Sequence, residues 1–258
     1  MLFGTSGALY HPSAMPSRRD ALKLAGIALS AAFLNHFSSG ADMPLVDAKD
    51  ALDHILIGAS NLEAAIDWFE KSSGVRPMVG GRHPGRGTRN ALVSLGKPHN
   101  LELIDPDPQQ TTTASAWLTE RVNKLRAMPG PRAFNWAVST HDMEATRRAV
   151  ERAGLKFIGP APGSRKRPDG RVLEWSSLTL ADDDNGLIPF FIQWGPQSLH
   201  PSEDSPQGCT LESLQLISPD AKKLDATLRA LGIRADVRQG TAQRLAVSFN
   251  TPKGVLEL

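Results

Sequence analysis

The sequence predicts an α+β protein made of three β-α-β-β-β units whose curled mixed sheets close around a cleft. Three observations lead there. An apolar strand, one amphipathic helix ended by glycine and three further strands recur, in that order, three times along the 258 residues. Glycine- and proline-rich punctuation separates the strands. At 40% hydrophobic and 22% charged, the chain has ordinary globular composition with room for one or two domains.

The first forty or so residues stand apart. Ser17-Arg18-Arg19-Asp20-Ala21-Leu22-Lys23 precedes an apolar run from Leu24 to Leu34 and the small residues Ser38-Ser39-Gly40-Ala41. That pattern is a twin-arginine export signal in outline, too short for a permanent membrane anchor, and it places the mature protein in the periplasm or outside the cell. Residues 1–41 hold three of the 29 basic and one of the 27 acidic residues, so the remainder has no net charge. Nothing marks it for nucleic acid or an anionic membrane. The single cysteine, Cys209, precedes an apolar strand and reads as a buried, inert thiol.

After a polar lead-in from Met43 to Asp50, Leu52 to Gly58 reads as a strand. Ser60-Asn61-Leu62-Glu63 is a capping signature, and Leu62, Ala65, Ile66 and Phe69 recur at helical spacing up to Gly74. Val75 to Val79 is a short edge strand, and Gly80 to Thr88, with four glycines and a proline, is expected to be a loop. Arg89 to Leu95 and Asn100 to Ile104 complete the unit. A helical connection, 106–130, follows as a lid or a packing strap. The second unit starts at Ala133, with Asp142 capping a helix from Met143 to Ala153. It continues through a strand ending at Ile158, a loop from Gly159 to Gly170, and strands Val172 to Leu180 and Leu187 to Trp194. Past the linker 195–208, a third copy occupies 208–258.

His54 on the first strand and Glu102 on the last form the kind of pair that meets across a curled sheet to hold a metal. In the glycine-rich segment, Arg82, His83, Arg86 and Arg89 with the backbone amides suit a carboxylate or phosphate, and Thr88 and Asn90 suit a hydrogen-bonded ligand. The segment lacks the ending of a nucleotide P-loop. His83 is the candidate proton-transfer group. Of the five tryptophans most are expected in the core, one or two walling the cleft, and Asp182 to Gly186 reads as a solvated hairpin turn rather than a calcium loop.

Leu52-Asp53-His54-Ile55-Leu56-Ile57-Gly58, Asp67-Trp68-Phe69, the segment from Gly80 to Leu92, Asn100-Leu101-Glu102-Leu103-Ile104 and Pro189-Phe190-Phe191-Ile192-Gln193-Trp194 together resemble the vicinal oxygen chelate superfamily (glyoxalase/bleomycin resistance/dioxygenase), in its glyoxalase-like branch. The resemblance covers residues 50–195, and 208–258 more loosely. It implies paired β-α-β-β-β units and one divalent ion (zinc, iron, manganese or nickel) binding two neighbouring oxygens of a small molecule. His54 and Glu102 occupy two ligand positions. The alignment sets Asn135 opposite His54 and Gln193 opposite Glu102, neutral amides better suited to a substrate than to a metal; in the third unit, Ser213 and Glu257 fall there. The expected function is an exported enzyme performing isomerisation, lysis or dioxygenation on a small oxygenated molecule. The alternative is a non-catalytic binding protein of the same fold; an unpaired third unit would further allow a homodimer.

Overall fold

Strand periodicity and glycine punctuation are realised nearly as read. The computed structural model describes residues 45–258, so the expected export signal lies outside the described residues. The elements in chain order are β1 (Val46–Asp47), α1 (Ala48–Ala51), β2 (Leu52–Gly58), α2 (Leu62–Ser73), β3 (Met78–His83), β4 (Thr88–Ser94), β5 (Asn100–Pro106) and α3 (Ala116–Arg126). There follow β6 (Arg132–Ser139), α4 (Met143–Arg152), β7 (Phe157–Lys166), β8 (Val172–Leu180) and β9 (Phe190–Trp194). The last segment holds β10 (Thr210–Ser218), α5 (Ala221–Ala230), β11 (Ile233–Arg234), β12 (Asp236–Gln239), β13 (Arg244–Thr251) and β14 (Gly254–Glu257).

Local chemistry sets the helix ends. Asn61 Oδ1 accepts from Ala64 N at 2.8 Å, and Gly74, at φ 81°, returns its N–H to Glu70 O. Asp142 caps α4 in the same way, through Ala145 N.

The first two units share one eight-stranded sheet, ordered β3-β4-β5-β2-β6-β9-β8-β7. Each unit pairs its first strand in parallel with its last, and antiparallel β2 and β6 join the halves. This is a curled α+β architecture in which two repeated units share one sheet. Alternation divides its residues: Ile55, Ile57, Leu101 and Leu103 enter the main core, whereas His54, Leu56, Glu102 and Ile104 face the cleft. On the cleft side α3 lays Leu125 against Leu56 and Ile104.

Two expected loops are partly strand. Gly80 to His83 belongs to β3, leaving only residues 84–87 as the turn, and β7 continues to Lys166 through Pro160 and Pro162. Both are edge strands of the eight-stranded sheet, where a proline's missing N–H costs no ladder bond. The two edges approach each other, since Arg165 Nη1 donates to Gly80 O. A Cβ at Gly80 would collide with Asn90 Oδ1 and Arg165 Nη1, so a larger residue would displace these two side chains from their places.

The third segment repeats the element order but not the sheet order. Its four strands run β12-β10-β13-β14, with β10 parallel to β12. Both β10 and β14 flank β13, so Ser213 and Glu257 are not on paired strands as His54 and Glu102 are. Leu214, Leu216, Leu228, Val247 and Phe249 are buried in the same core as Phe69 and Trp136, so the apolar face of this sheet is covered within the chain. The lead-in also docks here, as β1 pairs with β11.

Candidate active site

A bulge in β2 starts the site. Pairing with β6 slips between Leu52 and His54, leaving Asp53 without a partner and turning its carboxylate toward the neighbouring ring. Asp53 Oδ1 lies 2.7 Å from His54 Nδ1, and Asp53 Oδ2 accepts from Trp194 Nε1 at 2.9 Å. His200, on the segment after β9, places its Nε2 3.4 Å from Asp53 Oδ2. On the other side His54 Nε2 lies 3.3 Å from Glu102 Oε2, while Glu102 Oε1 accepts from Asn90 Nδ2 at 2.7 Å. His83 packs beside them, with Nδ1 2.8 Å from Thr88 Oγ1 and Nε2 3.3 Å from Asn90 Nδ2.

Burial alone would strip His54 of its proton, but hydrogen bonds to Asp53 and Glu102 prevail and raise its pKa above the ordinary histidine value. Burial likewise opposes charge on Glu102 and Asp53, and the facing histidines hold both carboxylates below the usual range. Desolvation wins at His83, which is pushed down to about 4 despite Glu102 nearby. At neutral pH the group therefore holds a protonated His54 between two carboxylates and a neutral His83.

These shifts set a pH dependence. Stability from His54 is complete below its unfolded pKa of about 6.5 and is lost as pH rises through its raised folded value. His83 acts oppositely: between about 6.5 and 4 the unfolded chain binds a proton that the folded chain refuses, so stability falls as pH falls. Glu102 and Asp53 add to that acid loss below their unfolded values. Urea unfolding across pH should give a maximum near neutrality, and His83→Gln should flatten the limb between about 6.5 and 4. A wild-type stability that rises steadily into the alkaline range would contradict these assignments.

The cleft has a cavity volume of about 100 Å³. His54, His83, Arg86, Thr88, Asn90 and Glu102 all line it. Trp117, Trp175 and Trp194 form walls, three tryptophans where one or two were expected. His54 meets Phe190 edge-on at 5.4 Å between centroids.

Other expected residues do not line the cleft. Arg82 is ion-paired with Asp107, and Arg89 is held by Glu63 and Asp105. Asn135 donates to Asp183 Oδ2 at 3.1 Å and accepts from Trp136 N. Gln193 accepts from Met143 N at the start of α4 and donates to His141 O. Alternation explains the last case: Phe190, Ile192 and Trp194 face the cleft, so Gln193 faces the helix. Cys209 is buried as expected, its thiol pushed up to about 11 by burial.

The sheet register also tests the metal expectation. Across β2 and β6, His54 pairs with Ala137 and Leu56 with Asn135, so a local twofold axis relates His54 to Asn135 and Leu56 to Ala137. Leu56 pairs with Glu102 and Ala137 with Phe190, so the counterpart of Glu102 is Phe190 and not Gln193. An amide turned away and a phenyl ring stand where the second pair of ligands would be. Glu257 is exposed on β14 and outside the cleft. Among the described residues no three His, Cys, Asp or Glu side chains are placed to share one ion, whereas catalytic metal sites ordinarily take three protein ligands. The residues present do not complete a metal site.

What the cleft does gather is cationic. Arg165, 2% exposed, has Gly80 O as its one side-chain hydrogen-bond partner among the described residues. Arg86 lies 5.7 Å over the Trp175 ring, and Arg121 of α3 sits over Phe134 at 4.8 Å and Trp117 at 5.7 Å. Burial pushes all three guanidinium groups down, though arginine keeps its charge. Among the described residues none of the three has a carboxylate within 4 Å. Sequence reading placed Arg165 in a loop and Arg121 on a connection; the three basic residues between Gly159 and Gly170 were the available signal.

Among the described residues no helix is long and apolar enough to cross a membrane. A family profile described as "Glyoxalase-like domain" matches residues 52–232. No curated protein matches. Among solved structures, a hypothetical protein from Staphylococcus aureus aligns at 16% identity over 80% of this chain and 97% of its own, with a TM-score of 0.59. Methylmalonyl-CoA epimerase from Mycobacterium tuberculosis aligns at 19% identity over 60% and 93%, with a TM-score of 0.39. A variant of the Streptomyces coelicolor epimerase, in complex with 2-nitronate-propionyl-CoA, gives 17% over 58% and 97%, with a TM-score of 0.41. With more than half its length matched by the profile, the chain belongs to the glyoxalase-like domain family.

Proposed function

We propose that the cleft binds a small oxygenated anion and that the protein is an isomerase or lyase in which His83 moves the proton. Arg165 carries this reading. A guanidinium buried among strands with no carboxylate within 4 Å among the described residues, Glu102 acting on it only from farther off, costs several kcal/mol unless an anion arrives. Arg86 and Arg165 would hold a carboxylate and face the negative charge that develops on the ligand oxygen. Neutral His83, with its Nδ1 beside Thr88 Oγ1, would take the proton from the oxygenated carbon at Nε2. The second reading, a binding protein without chemistry, is favoured by Phe190 at the position equivalent to Glu102.

Proton NMR in D2O tests the chemistry. Carboxylates that raise the melting temperature are incubated with the protein, and deuterium should enter at the oxygenated carbon. His83→Gln should slow that exchange at least about 100-fold while leaving binding in place. Binding without exchange in the wild type would leave the second reading.

Export by the twin-arginine route belongs to the same proposal. Replacing Arg18 and Arg19 by lysine should retain the full-length chain in the cytoplasm, and unchanged periplasmic delivery would refute the signal assignment.

A further inference from the structure

Asn100 opens β5, beside His54 in the parallel ladder and beside Ser94 across β4. It is 1% exposed and lines the cleft, yet among the described residues its side-chain oxygen has no partner and no protein group engages its amide nitrogen. Exchanging the amide's oxygen and nitrogen leaves the deficit as it is: either way one buried polar atom is unpartnered. Nearby, Asn90 gives its nitrogen to Glu102 while its own Oδ1 is also unpartnered. Leaving such groups unmade costs about 1–3 kcal/mol each. Neither amide closes a turn or caps a helix; Asn90 Nδ2 holds the Glu102 carboxylate, but among the described residues no hydrogen bond of the fold uses Asn90 Oδ1 or the Asn100 amide.

The cleft thus offers two kinds of unmet demand. Arg165 and Arg86 ask for negative charge, and Asn100 and Asn90 ask for hydrogen-bond partners, chiefly donors. A plain carboxylate meets only the first. A hydroxyl meets the second whichever way the amides are turned, because it both donates and accepts. Trp175 and Trp194, 5.8 Å apart between centroids, provide apolar wall for a carbon skeleton.

We infer that the occupant is a hydroxycarboxylate, its carboxylate toward Arg165 and Arg86 and its hydroxyl read by Asn100. This rests on the anion-binding reading of the cleft and sharpens it to a class of ligand.

Calorimetric titration of four matched pairs tests the inference: lactate and propionate, malate and succinate, mandelate and phenylacetate, gluconate and hexanoate. Wild-type protein should bind the hydroxy member of at least one pair about tenfold more tightly than its partner, the effect of one well-made hydrogen bond. Asn100→Leu should bring the two members of that pair within about twofold while leaving the plain acid's affinity unchanged. The same variant should melt no lower than wild type, because it removes an unpaired buried amide; a lower melting temperature would show that Asn100 is structural and overturn the assignment. Equal affinity for both members of every pair would also overturn it, leaving a site for carboxylates alone with hydrated amides. If none of the eight acids binds, the anion-binding reading falls with it.

Discussion

Replacing His54 by leucine should destabilise the protein by about 3–5 kcal/mol, measured by urea unfolding at pH 7. The ring is the cation between Asp53 and Glu102, which are 1% and 8% exposed. Without it Glu102 keeps the Asn90 amide, with neutral His83 Nε2 3.7 Å away, and Asp53 keeps Trp194 and His200. Two buried carboxylates then face a low-dielectric interior with too few donors. The loss should be smaller when Glu102→Leu is made in the same chain, since that removes one of the stranded charges. A loss below about 1 kcal/mol for His54→Leu alone would mean that the pair is hydrated and that the cleft is wetter than its burial indicates.

Arg165→Met should have the opposite pattern: unchanged or higher stability without ligand, and loss of carboxylate affinity of at least about 30-fold, the lower end of the 2–5 kcal/mol cost of removing one member of a buried charge pair. The guanidinium makes one side-chain hydrogen bond, to Gly80 O, and methionine can fill the same space with apolar atoms. Arg86→Met should cost less, because Arg86 is only partly buried and lies over Trp175. A sharp fall in stability for Arg165→Met, with affinity retained, would assign Arg165 to closing the sheet edges rather than to holding an anion.

Most of the fold was legible because strand alternation, capping residues and terminal glycines are local signals. Leu62, Ala65, Ile66 and Phe69 define α2 within residues of its observed ends. Three features were not legible, each for a non-local reason. Whether Glu102 faces the cleft depends on which side of the sheet the helices cover, and alternation alone is symmetric. The counterpart of Glu102 depends on ladder register, which moves the match from Gln193 to Phe190. The strand order of the third segment depends on where β12 inserts, and the element order is the same in either arrangement.

The site divides along the same line. His54, His83, Arg86, Thr88, Asn90 and Glu102 lie within one unit and were candidates from its motif, and all six line the cleft. Arg165, Arg121, Asn100 and His200 come from an edge strand, an insertion, a strand start and a linker, joined only by the folded sheet. Asp53 was in plain view next to His54, but strand alternation set it on the opposite face; the β2 bulge brings the two together.

Selection of an anion through arginine, rather than through a bound metal, is the property on which the proposed chemistry and ligand class both depend. Calorimetry on chelator-treated protein reads it out, using the tightest-binding carboxylate of the matched pairs, with wild type and Arg165→Met side by side. Binding should persist after chelation and be lost in the variant. Binding that requires an added divalent ion and survives Arg165→Met would refute selection by arginine.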